Sequence, residues 1–122
     1  MNRILVVDDA ATVRLYLRSL LQESYEVDEA MNGVQGMEKA IDAPYDLYIV
    51  DINMPKLDGF GFLRALRAEP IPQAPAIVAS TQNRAQDRQL AWKAGANLYL
   101  TKPLLPDTLK AGVRVLLGEG GA

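Results

Sequence analysis

Four short apolar runs punctuate the chain: Ile4 to Val7, Leu47 to Val50, Ala76 to Ala79 and Leu98 to Leu100. They are nearly continuous instead of alternating. A strand covered on one face alternates apolar and polar, whereas a strand covered on both needs an apolar side chain at almost every position. The runs therefore predict parallel strands inside a sheet. A fifth stretch, "YEVDEA" from Tyr25 to Ala30, alternates weakly and reads as an edge strand with one face less covered. The segments between carry apolar residues at helical spacing: Ala11 to Gln22, Gly33 to Ile41, Gly59 to Ala68, Arg84 to Ala94 and Pro106 to Leu117. Gly95 is placed to stop the fourth of these, and Pro106 suits the first turn of the last. Strand and helix alternate five times, which predicts an α/β fold: a doubly wound, five-stranded parallel sheet with five helices on its two faces.

The residues at the strand ends turn the picture from a fold into a candidate site. The first run ends in Asp8 and Asp9, the third strand ends in Asp51, the fourth in Ser80 and then Thr81, and the fifth leads to Lys102 and Pro103. In an open parallel sheet all these ends lie along one edge, where ligands bind at the crevice between diverging connections. If the first and third strands are neighbours, three carboxylates crowd together, and at an effective dielectric of about 20 each close pair costs a few kcal/mol. A divalent cation relieves that cost, and clustered oxygen donors without histidine suit Mg2+. Each acid also has a plainer role open to it, since a carboxylate after a strand commonly caps the next helix, as Asp9 is placed to do for the helix from Ala11. Lys102 is equally open to a structural ion pair. Together, however, three acids, a hydroxyl and an ammonium form an inventory suited to an incoming phosphoryl group.

Composition narrows the chemistry further. The 122 residues suffice for one domain, 49% are hydrophobic, and the net charge is -2, so neither nucleic acid nor an acidic membrane is an expected partner. No run approaches the roughly 18 apolar residues of a membrane span, and the start of the chain does not read as a signal peptide. With no cysteine and no histidine, thiolate chemistry, imidazole bases and Cys/His metal sites are excluded. Cytoplasmic residence is the expectation. Residues 1–118 read as the domain, and the Gly-rich stretch 119–122 as a flexible tail.

The motifs "ILVVDD", "DLYIVDINMPKLDGF", the strand-terminal Ser80 and "KAGANLYLTKP" occur in this order, and with them the chain resembles the receiver domain of two-component response regulators over almost its full length. The resemblance implies a flavodoxin-like sheet of order 2-1-3-4-5. It implies that Asp51 is the phosphoacceptor, taking a phosphoryl group from a phosphohistidine or a small acyl phosphate. Asp9 and Asp51 would bind Mg2+ through side chains, Asn53 through its main-chain oxygen, and Asp8 through metal-bound water. Lys102 and Ser80 would hold the phosphoryl oxygens, Tyr99 would be the aromatic switch, and the bond before Pro103 would be cis. The implied partners are a histidine kinase or phosphotransfer protein as donor, necessarily another molecule because this chain has no histidine, and an output protein: a motor switch component, a kinase or a relay protein. Phosphorylation would reshape the face of the fourth helix, fifth strand and fifth helix, in a monomer or a phosphorylation-dependent dimer. No effector segment comes after the fifth helix, so a stand-alone receiver is expected.

Thr81 departs from the family pattern, which places a very small residue there; a branched side chain would narrow access to the pocket. Asn53 and Gln82 flank the site, where the resemblance implies that side chains tune the lifetime of the phosphoryl group, and since neither is an evident base, self-hydrolysis is expected to be slow. Trp92, the single tryptophan, is expected to be partly covered, as packing or as an output contact. The rival readings fit less well. A haloacid-dehalogenase-type phosphatase needs D-x-D where Asp51 is followed by Asn53. A calcium loop needs glycine where Lys56 stands. A flavin carrier needs a phosphate cradle after the first strand. A phosphorylation-independent receiver-like module has only Thr81 to recommend it.

Overall fold

The computed structural model describes residues 1–119. Five strands and five helices alternate: β1 (Arg3–Val7), α1 (Ala11–Leu21), β2 (Glu26–Ala30), α2 (Gly33–Asp42), β3 (Leu47–Asp51), α3 (Gly59–Ala68), β4 (Ala76–Ser80), α4 (Ala85–Ala94), β5 (Leu98–Thr101) and α5 (Pro106–Leu116). The strands form one parallel sheet in the order β2-β1-β3-β4-β5. Element ends move by at most one residue from those expected; the interiors coincide.

Successive residues on a strand point to opposite faces, and the core divides accordingly. Leu5, Val7, Tyr48 and Val50 pack with Phe62, Leu63 and Leu66 of α3 and Ala91 and Ala94 of α4. Ile4, Val6, Ile49 and Ile77 pack on the other face with Leu17 and Leu21 of α1 and Leu109 and Val113 of α5. Every residue of β3 and β4 is buried, as their continuous apolar runs require. Burying each such Leu or Ile contributes about 2 kcal/mol. No helix of the described residues is long and apolar enough to cross a membrane.

β2 is an edge strand, as its alternation predicts: Val27 and Ala30 face the core and Glu26 faces solvent. β5 corrects the expectation of full burial. Leu98, Tyr99 and Leu100 are only partly covered and Thr101 is exposed, because no strand lies beyond β5. Its apolar composition does not distinguish it from an inner strand. Asp9 is no cap: α1 starts after Ala10, whose peptide N–H donates instead to Asp8 Oδ1 at 2.9 Å. Side-chain caps are found on α2, where Asn32 accepts from the Gln35 N–H, and on α3, where Asp58 accepts from the Gly61 N–H at 2.8 Å. Gly95 ends α4 in the left-handed region at φ 113°, and Pro106 sits in the first turn of α5. Glu119, expected to open the loose tail, instead accepts hydrogen bonds from Asn2 Nδ2 at 3.0 Å and the Tyr25 hydroxyl at 2.7 Å. The rest of that tail, 120–122, lies outside the described residues.

Candidate functional site

β1 and β3 are neighbours in register, Val7 beside Val50, so Asp8, Asp9 and Asp51 emerge side by side at the carboxyl edge of the sheet. One carboxylate oxygen from each lies within 4.8 Å of the others. Asp8 and Asp51 are buried and Asp9 is exposed. On the far side of β3, Asp51 is level with Ala79 of β4, and Ser80 follows as the strand's last residue, wholly buried. Beyond β5, the Lys102 ammonium donates to Asp8 Oδ2 at 2.9 Å and to Asp51 Oδ1 at 3.3 Å. The Lys102–Pro103 peptide is cis.

These distances decide the electrostatics. Burial raises the Asp51 carboxyl above the ordinary carboxylate range, and the Asp8 carboxylate pushes it the same way; Lys102 pulls against both and does not cancel them. For Lys102, burial alone lowers the ammonium, but the hydrogen bond to Asp8 and the charge of Asp51 outweigh it, so the net shift is upward. The group is a nest of negative charge only partly neutralised by one cation. Its donors are all hard oxygens, and two of them are buried, which suits a small divalent ion that keeps part of its water shell.

The loop after β3 is braced against this nest. The Gly59 N–H donates to the Ile52 carbonyl at 2.9 Å and the Leu57 N–H to the Pro55 carbonyl at 2.8 Å. Between them Lys56 adopts φ 70°, a left-handed conformation unusual for a lysine. A Cβ on Gly59 would stand 2.3 Å from the Asp51 carbonyl oxygen, and one on Gly33 would stand 2.3 Å from the Leu57 carbonyl oxygen. Close approach, not turn geometry, is why glycine occupies both.

The remaining expected residues lie around the rim. Asn53 is exposed, and its Oδ1 accepts from Gln82 Nε2 at 3.4 Å. Ser80 Oγ accepts from the Gln82 N–H at 3.0 Å, while the Thr81 side chain is exposed beside it. Tyr99 is partly buried, and its hydroxyl donates to the Gln82 carbonyl at 2.6 Å. The Arg88 guanidinium lies 5.8 Å from the Tyr99 ring centre. Trp92 is 47% exposed on α4. The strain at Lys56, the close approach at Gly59 and the contact of Arg14 Nη1 with the Asp8 carbonyl at 2.7 Å were not read from the sequence. Only Gly59, next to an Asp in a turn, carried a local signal.

A family model of the response regulator receiver domain matches residues 4–114. The chain belongs to this family. Among relatives of this receiver domain, the probable chemotaxis protein CheY of Rhizobium etli is 37% identical over 121 residues, covering 95% of this chain and 92% of that protein. The transcriptional regulatory protein ResD of Bacillus subtilis is 36% identical over 95% of this chain, but the match spans 48% of its own length. The receiver domain thus spans about half the length of some curated relatives. Among solved structures, the response regulator TrrA of Thermotoga maritima, in complex with Mg2+-BeF, superposes with a TM-score of 0.85 at 36% identity, covering 95% of this chain and 99% of that one.

Proposed function

We propose that this receiver domain is a phosphorylation switch in which Asp51 accepts a phosphoryl group in an Mg2+-dependent reaction. One observation carries the reading: Asp8, Asp9 and Asp51 converge with Lys102 at a single sheet edge. An Asp51 carboxylate oxygen attacks phosphorus, the bond from phosphorus to the donor's histidine nitrogen or acyl oxygen breaks, and the electron pair leaves with the donor. Asp9 and Asp51 side chains and the Asn53 main-chain oxygen would hold Mg2+, with Asp8 behind them. When bound, Mg2+ supplies positive charge against the crowded carboxylates and the arriving oxygens. Lys102 already reaches Asp51 and needs only a small movement to pair with a phosphoryl oxygen. Ser80 is buried one residue beyond the position level with Asp51, where its hydroxyl can turn from the Gln82 N–H to donate to another.

That turn couples the site to the surface. Ser80 and Tyr99 both bind Gln82, through its N–H and its carbonyl. Drawing Ser80 toward the phosphoryl group disturbs both attachments, frees Tyr99 to rotate inward, and alters the face formed by α4, β5 and α5. Partner affinity shifts only as far as these contacts differ between the two states. The donor is a histidine kinase or phosphotransfer protein, and the output is a protein partner in the cytoplasm. The likeness to a chemotaxis CheY makes a motor switch component one candidate, beside a kinase or a relay protein.

The test is mass spectrometry after acetyl phosphate with and without Mg2+. Wild type gains one phosphoryl mass only with Mg2+, and Asp51→Asn gains none. A label that persists in Asp51→Asn, or forms equally in EDTA, overturns the proposal.

A further inference from the structure

Asp8 is held at four points. Its N–H donates to the Ala30 carbonyl on β2 at 3.1 Å, Oδ1 accepts from the Ala10 N–H, Oδ2 accepts from Lys102, and its main-chain carbonyl accepts from Arg14 Nη1 at 2.7 Å. The last of these is unlike the others, because that carbonyl belongs to the peptide joining Asp8 to Asp9. Asp9 is exposed, and among the described residues no hydrogen bond reaches its carboxylate; its backbone is held by this peptide and, on the other side, by the Ala10 N–H bonded to Asp8 Oδ1. The plane of the Asp8–Asp9 peptide therefore helps set the backbone from which the Asp9 carboxylate reaches the site.

Arg14 is itself fixed. Its side chain is 12% exposed, and its Nε donates to Glu29 Oε1 at 3.0 Å. Glu29 lies on β2, level with Val6 of β1, and its other oxygen accepts from Arg18 Nε at 2.8 Å. The Lys39 ammonium of α2 donates to the Glu29 carbonyl. The guanidinium thus runs from Glu29, whose carboxylate and carbonyl are both held, to the peptide that joins Asp8 to Asp9. Its planar, multi-donor head can hold Glu29 and the Asp8 carbonyl at once, which a single ammonium cannot do with the same geometry.

We infer that Arg14 is a positioning residue of the acidic site: by pinning the Asp8–Asp9 peptide it pre-orients Asp9 for a divalent cation. This rests on the proposed Mg2+-dependent function, and the two fail separately. Partners that orient metal ligands are typically worth 10- to 100-fold in affinity.

The experiment is calorimetric titration of MgCl2 into the metal-free chain, with the Asp9 amide followed by NMR before metal is added. Arg14→Met, which keeps most of the stem, is expected to weaken Mg2+ binding about tenfold and to broaden or shift the Asp9 amide. Arg14→Lys falls between the two. Arg18→Met loses the neighbouring bond to Glu29 without touching Asp8, and stays within about twofold of wild type, separating orientation from general stability. Folded Arg14→Met that binds within about twofold of wild type overturns the inference, as does an equal loss in Arg18→Met. Should Arg14→Met not fold, Arg14→Lys decides: wild-type affinity there overturns it. Wild type that takes up no Mg2+ sinks the site reading, and the role of Arg14 with it.

Discussion

Asp51→Asn should make the metal-free protein more stable. The Asp51 oxygens lie within 4.8 Å of those of Asp8 and Asp9, so each repulsion is worth about 3 kcal/mol at an effective dielectric of 20. Lys102, at 3.3 Å, returns about 5 kcal/mol on the same scale. The two repulsions exceed the attraction by about 1 kcal/mol on this scale, and burial adds to the cost of the charge, in the direction of the raised Asp51 pKa. Asparagine keeps the shape and removes the charge. Urea unfolding at pH 7 in EDTA should move to higher midpoint with an unchanged slope. Adding MgCl2 should then stabilise wild type, by mass action on the folded state, and have little effect on the variant. The pH dependence has a definite sign. A carboxyl raised in the folded state binds protons there when the unfolded chain has released them, so wild type loses stability as pH rises from about 3.9 through the folded value. The gap between variant and wild type therefore widens as pH rises and closes in acid. If the variant is less stable than wild type in EDTA, the ammonium outweighs the two carboxylates, and the site is a satisfied ion-pair network with no surplus negative charge for a cation to relieve.

Gly59→Ala pushes a methyl group to 2.3 Å from the Asp51 carbonyl oxygen; we expect a loss of about 1–3 kcal/mol in urea unfolding and slower labelling by acetyl phosphate. Lys56→Gly relieves the left-handed backbone at φ 70° and should raise stability by about 1 kcal/mol in the same assay, with labelling intact. The Tyr25 hydroxyl, buried and bound to Glu119, is pushed up to about 12. Its contribution is therefore present below the unfolded value near 10 and lost as pH rises toward 12; stability followed by circular dichroism should fall less steeply over that range in Tyr25→Phe. The phosphorylated protein should keep its label for minutes or longer, since Gln82 and Asn53 offer no base; loss within seconds would refute that reading.

Much of this molecule was written plainly in its residues. The continuous apolar runs located β1, β3 and β4, and the acids that end them stood out because a buried strand rarely finishes in charge. Lys102 and Ser80 were legible for the same reason. Other features had no linear signal. β5 has the composition of an inner strand, and only the sheet order makes it an edge. Lys56 takes a conformation that sequences usually announce with glycine or asparagine. Arg14 reads as one more polar position on a helix, because its partners, at 8 and 29, meet only when α1 packs beside β1 and β2. Glu119 looked like tail because glycines surround it, yet long-range bonds to residues 2 and 25 hold it.

The pocket draws its parts from residues 8, 51, 80 and 102, on four different strand tips, with Lys102 arriving last from the ribosome. A nascent chain halted before β5 presents the acids without their ammonium. On the proposed function, competence to accept a phosphoryl group is itself a report that the whole sheet has closed, and a chain ending before β5 would lack it.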